Sequence, residues 1–208
     1  MKTSIWFAPI FILIWSTGFI IARYGMPYSE PMTFLFIRFA GVVVCMLPVL
    51  LWLKPQWPSG KQSLHIAIAG ALFQFGYLGG VWVAVKQGMP AGLASLIVGL
   101  QPILTALLAS TVSERVSGRQ WIGLGLGLTG VALVLFAKIN VEGLTIASAL
   151  FAFAGLFSIT LGTLYQKRFC PSFDLRTGSV IQFSTSALLC MLMMFLFETR
   201  EFQWTPEM

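Results

Sequence analysis

Charge is what this sequence has least of. Only 10% of its 208 residues are Asp, Glu, Lys or Arg, against about 25% in soluble domains. A water-exposed fold of this length cannot cover its surface with so few ionised groups, which excludes a soluble globular domain. Cysteine occurs three times, at Cys45, Cys170 and Cys190. There is no CxxC spacing and no companion His/Asp cluster, so neither a disulfide framework nor a metal site is expected. Histidine occurs once, at His65, where an interfacial bystander is the plainer reading and a proton relay the sharper one. The long apolar runs contain no Asp or Glu, which argues against a carboxylate proton relay inside them. No HExxH, no paired acids and no Ser/His/Asp set lies at a shared depth, so an enzyme is not expected, and no cofactor. The net charge of +6 sits on single Lys and Arg residues in short loops. That dispersal argues against nucleic acid as a partner.

What fills the chain instead is apolar residues, 57% of the total. They fall into seven runs of 17–23 residues, and about 18–20 is the length needed to cross a bilayer as a helix. The expected spans are Ile5–Ala22, Pro31–Leu53, Leu64–Val85, Ala91–Thr111, Trp121–Ala137, Leu144–Tyr165 and Gly178–Phe197. The runs are continuous rather than alternating, and open sheet edges cannot face lipid, so strands are excluded. The fold expected is an all-α polytopic transmembrane helix bundle. Lys2 followed by an apolar run imitates a signal peptide, but the run is too long and lacks a small-x-small cleavage site.

Alternate loops differ in their cations. One side holds Lys2, Lys54, Lys61, Arg115, Arg119, Lys167, Arg168 and Arg176; the other holds Arg23, Lys86, Lys138 and Arg200. The richer side is expected to be cytoplasmic, with the N-terminus inside and the C-terminus, Glu198–Met208, outside.

A repeat runs through this pattern. Gly18–Phe39 (GFIIARYGMPYSEPMTFLFIRF) aligns without a gap on Gly162–Phe183 (GTLYQKRFCPSFDLRTGSVIQF), at an offset of 144. Gly18 falls on Gly162, Pro27 on Pro171, Glu30 on Asp174, Thr33 on Thr177 and Phe39 on Phe183, while Arg38 falls on Gln182. The offset carries the first span onto the sixth and the second onto the seventh. A unit of five helices is odd, so the second copy enters the membrane from the opposite side, as in inverted-repeat transporters. The expected units are residues 1–140, a complete five-helix repeat, and 141–208, the first two helices of another. Two complete copies would need about 288 residues and ten helices, so the sequence is expected to stop where an eighth helix would begin.

Five stretches together resemble the EamA family of the drug/metabolite transporter superfamily. They are WSTGFIIARYG, PMTFLFIRF, QGMPAGLASLIVGLQPILTALLAS, SERVSGRQWIGLGLGLTGVAL and LFSITLGTLYQKR. The resemblance implies a ten-helix inner-membrane protein of two inverted repeats that moves small metabolites, amino-acid-like compounds or drugs, usually outward. The partners implied are a small-molecule substrate and the lipid bilayer; a homodimer stays open. Lacking three spans, the chain is also readable as a transport-inactive fragment or an assembly partner.

The candidate substrate-binding residues come from polar groups inside the runs. Arg38 lies seven residues past Pro31, roughly 10 Å into its span. An intramembrane Arg either meets a substrate anion or clamps helix ends, and both readings stand. Trp15 and Thr17 in the first span, and Thr160 in the sixth, combine an aromatic wall with hydroxyls, which can equally bond back to their own helices. Gln74 and Tyr77 in the third span, with Trp82, form a similar wall around Gly79-Gly80, a flexible point or a close helix contact. Gln101 precedes Pro102, where a kinked half-helix can line a site. Gln182 completes the set as the counterpart of Arg38. Gly125–Gly130 spells GxGxxG, but no strand or βαβ unit can surround it inside a lipid-spanning run. Gly123 and Gly127 read instead as a face for close helix packing.

Overall fold

A computed structural model of the protein describes residues 7–108, 116–138 and 144–199. Nine α-helices and one π-helical segment follow one another among them. They are α1 (Phe7–Gly25), α2 (Pro31–Leu53), α3 (Gly60–Gly70), the π segment (Ala71–Leu78), α4 (Gly79–Lys86), α5 (Ala91–Val98), α6 (Gln101–Leu107), α7 (Gly118–Lys138), α8 (Ile146–Phe169) and α9 (Leu175–Phe197). Four continuous helices are long and apolar enough to cross a membrane: Pro31–Leu53, Gly60–Lys86, Ile146–Phe169 and Leu175–Phe197. The chain is thus a polytopic helical bundle. Its outer surface is apolar, with Leu51 75% and Trp52 86% exposed, as expected of side chains that meet lipid rather than water.

The second span begins and ends where the sequence puts it, at Pro31 and Leu53. Proline at the first helical position loses no intrahelical hydrogen bond. The sixth is longer than expected. It starts at a capping box, in which Thr145 and Ser148 satisfy each other's backbone N–H groups, and it continues past Tyr165 to Phe169. Residues 166–169, read as connection for their polarity, form its last turn. The fourth span is broken: α5 stops at Val98 and α6 restarts at Gln101, one residue ahead of Pro102. The expected interruption therefore falls at Gly99-Leu100. The last residues of that span, 109–111, lie outside the described residues.

Helices α2 and α9 run antiparallel. The start of α2 meets the end of α9 through Glu198, whose carboxylate accepts from Met32 N (2.7 Å), Thr33 N (2.7 Å) and the Thr33 hydroxyl (2.8 Å). Glu30, at the N-cap position of α2, makes no side-chain cap, so a residue from the far end of another helix does that work. At the opposite end Asp174 caps its own helix, accepting from Arg176 N at 2.8 Å.

The third span is a single helix from Gly60 to Lys86 with wider turns in its middle. The hydroxyls of Ser158 and Ser186 donate to Leu72 O (2.9 Å) and Gly70 O (3.0 Å). A helix that leaves its i−4 pattern frees carbonyls that must find other donors; here α8 and α9 supply them. Gly80 is a contact point. A Cβ there would lie 2.7 Å from Phe151 O, and one on Gly155 would lie 3.0 Å from Tyr77 O. The third span and α8 therefore pack backbone to backbone, and close packing explains the glycine pair. Further along, the Lys86 ammonium donates to Met26 O (2.8 Å) and Ser29 O (3.2 Å), tying the α1–α2 turn to the end of α4. The expected packing face of Gly123 and Gly127 differs. Among the described residues nothing lies within 4 Å of a Cβ built on either one.

Candidate functional site

Seven elements surround one cavity of about 620 Å³, lined by eighteen residues. Six of the eight candidate residues are among them: Thr17 from α1, Arg38 from α2, Gln74 and Tyr77 from the π segment, Gln101 from α6 and Gln182 from α9. Trp82, Thr163 and Gln166 add to the polar and aromatic wall. Thr160 does not line it. Its side chain is fully buried, and its hydroxyl donates at 2.8 Å to Leu156 O one turn back, within α8. The side chain of Trp15 lies outside the described residues.

The hydrogen bonds divide the polar wall into engaged and unengaged groups. Thr17 donates to Ile14 O at 2.6 Å, so its hydroxyl proton is used inside α1. Gln101 Nε2 reaches Thr163 Oγ1 at 3.2 Å, and this bond fastens the restart of the broken span to α8. Gln182 Nε2 donates to Gln166 Oε1 at 3.0 Å. Arg38 and Tyr77 share the wall of the cavity. Among the described residues no acidic side chain lines the cavity. Neither Arg38 nor Gln74 makes a hydrogen bond with another described residue. The guanidinium carries five donors in a planar fork, so the cavity holds a cation with its binding capacity unspent.

Gln166 is a site residue that sequence reading missed, because it opens the polar run Gln166–Arg176. Its signal was helical spacing: Ile159, Thr163 and Gln166 lie on one face of α8, and all three line the cavity. Arg38 and Gln182, which align across the 144-residue offset in sequence, both sit on the wall of the same cavity. His65 is better placed than a bystander. Its Nδ1 is 2.7 Å from the Tyr165 hydroxyl, and its ring stacks on Phe169 at 5.1 Å, so it joins α3 to α8. A second cavity, of about 550 Å³, lies beyond the ends of α1 and α4, with Arg23 and Lys86 on its wall. None of the candidate residues lines it.

An apolar bundle with a polar cavity between its spans has the architecture of a membrane transport protein. The sequence agrees: the EamA-like transporter family matches residues 2–136, and the chain belongs to that family, one of transporters rather than enzymes. It is 27% identical over 162 residues to the "Probable amino-acid metabolite efflux pump" of Salmonella typhimurium strain LT2, covering 77% of this chain and 52% of that protein. It is 24% identical over 177 residues to the "Uncharacterized inner membrane transporter YedA" of Escherichia coli K12, covering 85% and 57%. A third relative, the "Uncharacterized transporter YvbV" of Bacillus subtilis 168, is 27% identical over 202 residues, covering 93% and 64%. The chain thus spans about half the length of the first relatives it matches. No solved structure matches it significantly.

Proposed function

We propose that this chain serves a carrier that moves a small amino-acid-like metabolite outward across the cell inner membrane by alternating access of two inverted repeats. The observation that carries the reading is Arg38: a guanidinium that makes no hydrogen bond to another described residue, on the wall of a cavity where no described acidic side chain lies. A carboxylate is the group such a fork binds bidentately. The name of the Salmonella relative supports an amino-acid metabolite as substrate. The contact between repeat-equivalent Phe39 and Phe183 supports the inverted repeat. The cation imbalance between loops supports a cytoplasmic N-terminus and an outer C-terminus.

Accumulation of radiolabelled amino acids in vesicles carrying the protein tests this. Arg38→Gln is expected to abolish saturable accumulation, and Arg38→Lys to keep part of it, because a point charge replaces the fork. Transport unchanged in both variants would sink the role of Arg38. A second reading, a transport-inactive fragment or assembly partner, is favoured by the open glycine face of α7. Vesicles that contain the wild-type protein and accumulate nothing would support it.

A further inference from the structure

We infer that the cavity selects carboxylates that carry a planar ring, and that it turns away cations; this rests on the reading of Arg38 as a carboxylate anchor. Two observations point to it. The first is the charge set. Among the described residues Arg38 is the one charged residue on the wall, and the groups around it are amides, hydroxyls and apolar side chains. A ligand with net positive charge would meet an unneutralised guanidinium in a partly desolvated space, with no carboxylate to offset it. A ligand with one negative charge would give that guanidinium its missing partner.

The second is what faces the remaining volume. Rings from several elements line the same cavity: Phe73 and Tyr77 from the π segment, Trp82 from α4 and Phe183 from α9. Phe73 and Phe183 are only half-buried, so their surfaces are open to an occupant, whereas Tyr77 and Trp82 are buried behind it. Phe183 is already held by a tilted contact with Phe39 at 5.6 Å, and Trp82 by one with Phe34 at 4.9 Å. Rings fixed in this way lose little freedom when a further ring joins them. Offset and edge-to-face contacts then add to apolar burial what a flexible alkyl chain cannot. The Gln74 amide, three residues before Tyr77 in the π segment, makes no hydrogen bond with another described residue and can bond a polar substituent. Charge at one point and rings around the rest define the ligand class: a ring-bearing monocarboxylate with no net positive charge, with or without a further polar group.

The test is calorimetric titration of the purified 208-residue protein in lipid nanodiscs with three probes of similar apolar size. These are phenylacetate, hexanoate and phenethylamine, which is cationic at neutral pH. Phenylacetate is expected to bind about tenfold tighter than hexanoate, and phenethylamine not to bind where phenylacetate saturates. Arg38→Gln should weaken both acids at least tenfold. Phe73→Leu, which leaves the Phe39–Phe183 contact in place, should narrow the preference for phenylacetate over hexanoate to less than about threefold. Equal, Arg38-dependent affinity for the two acids would overturn the ring preference and leave the carboxylate anchor standing. Phenethylamine binding as tightly as phenylacetate would overturn the charge selection. Absence of any Arg38-dependent binding would overturn both this inference and the carboxylate anchor beneath it.

Discussion

Phe39 and Phe183 stand 144 residues apart in sequence, occupy the same position in two similar stretches, and place their ring centroids 5.6 Å apart. When equivalent residues of two similar segments touch each other, any axis relating the segments has to pass close to the contact. The contact joins α2 to α9, which run in opposite directions. Their neighbours, Arg38 and Gln182, line the cavity beside it.

That contact is a stability element. Phe39 is fully buried, and truncating a buried Phe to Ala costs about 3–5 kcal/mol. Phe39→Ala is expected to lower the thermal midpoint of the detergent-solubilised protein by several degrees. Adding Phe183→Ala should cost less than the sum of the single changes, since the two rings share one contact. Strict additivity in a double-mutant cycle would show that the rings do not support each other.

Glu198 should act as a clamp between α9 and the first turn of α2. Its carboxylate accepts three hydrogen bonds there, two of them from backbone amides that would otherwise lack partners. Glu198→Ala is expected to cost about 2 kcal/mol, the scale of hydrogen bonds to a charged group. Thr33→Val, which removes one of the three, should cost less. Hydrogen exchange at the amides of Met32 and Thr33 gives the local reading: it should quicken in Glu198→Ala. Unaltered protection there would show that the clamp contributes nothing.

Two glycine-to-alanine changes should have opposite effects. A Cβ at Gly80 would press to 2.7 Å against the backbone oxygen of Phe151, which cannot swing away as a side chain end would. Gly80→Ala is expected to destabilise by about 1–3 kcal/mol. At Gly123 nothing lies within 4 Å, and alanine is the better helix former by about 1 kcal/mol. Gly123→Ala should leave the thermal midpoint unchanged or raise it. A fall at Gly123 as large as that at Gly80 would mean that the α7 face is covered in the folded protein.

The parts of the fold that were legible in the sequence are those set by local chemistry. Pro31 starts α2 because it can, and the break ahead of Pro102 follows from a ring that cannot continue the previous helix. Polar residues in apolar runs pointed at the cavity wall for the same reason: desolvating them is costly unless they share a polar space. What stayed hidden depends on distant partners. The π segment takes its replacement hydrogen bonds from hydroxyls 86 and 116 residues away, and no local pattern announces them. The Glu198 clamp spans 165 residues or more. Thr160 had the composition of a wall residue, but a hydroxyl that bonds to its own helix carries no address for the cavity.

Lys86 holds two carbonyls of the α1–α2 turn, and so it answers to two selections at once. As a loop cation it counts toward membrane orientation; as a donor it closes a turn. Lys86 cannot be lost without leaving two carbonyl oxygens short of a donor. Lys86 is therefore a poor marker of orientation and a good marker of the turn it holds.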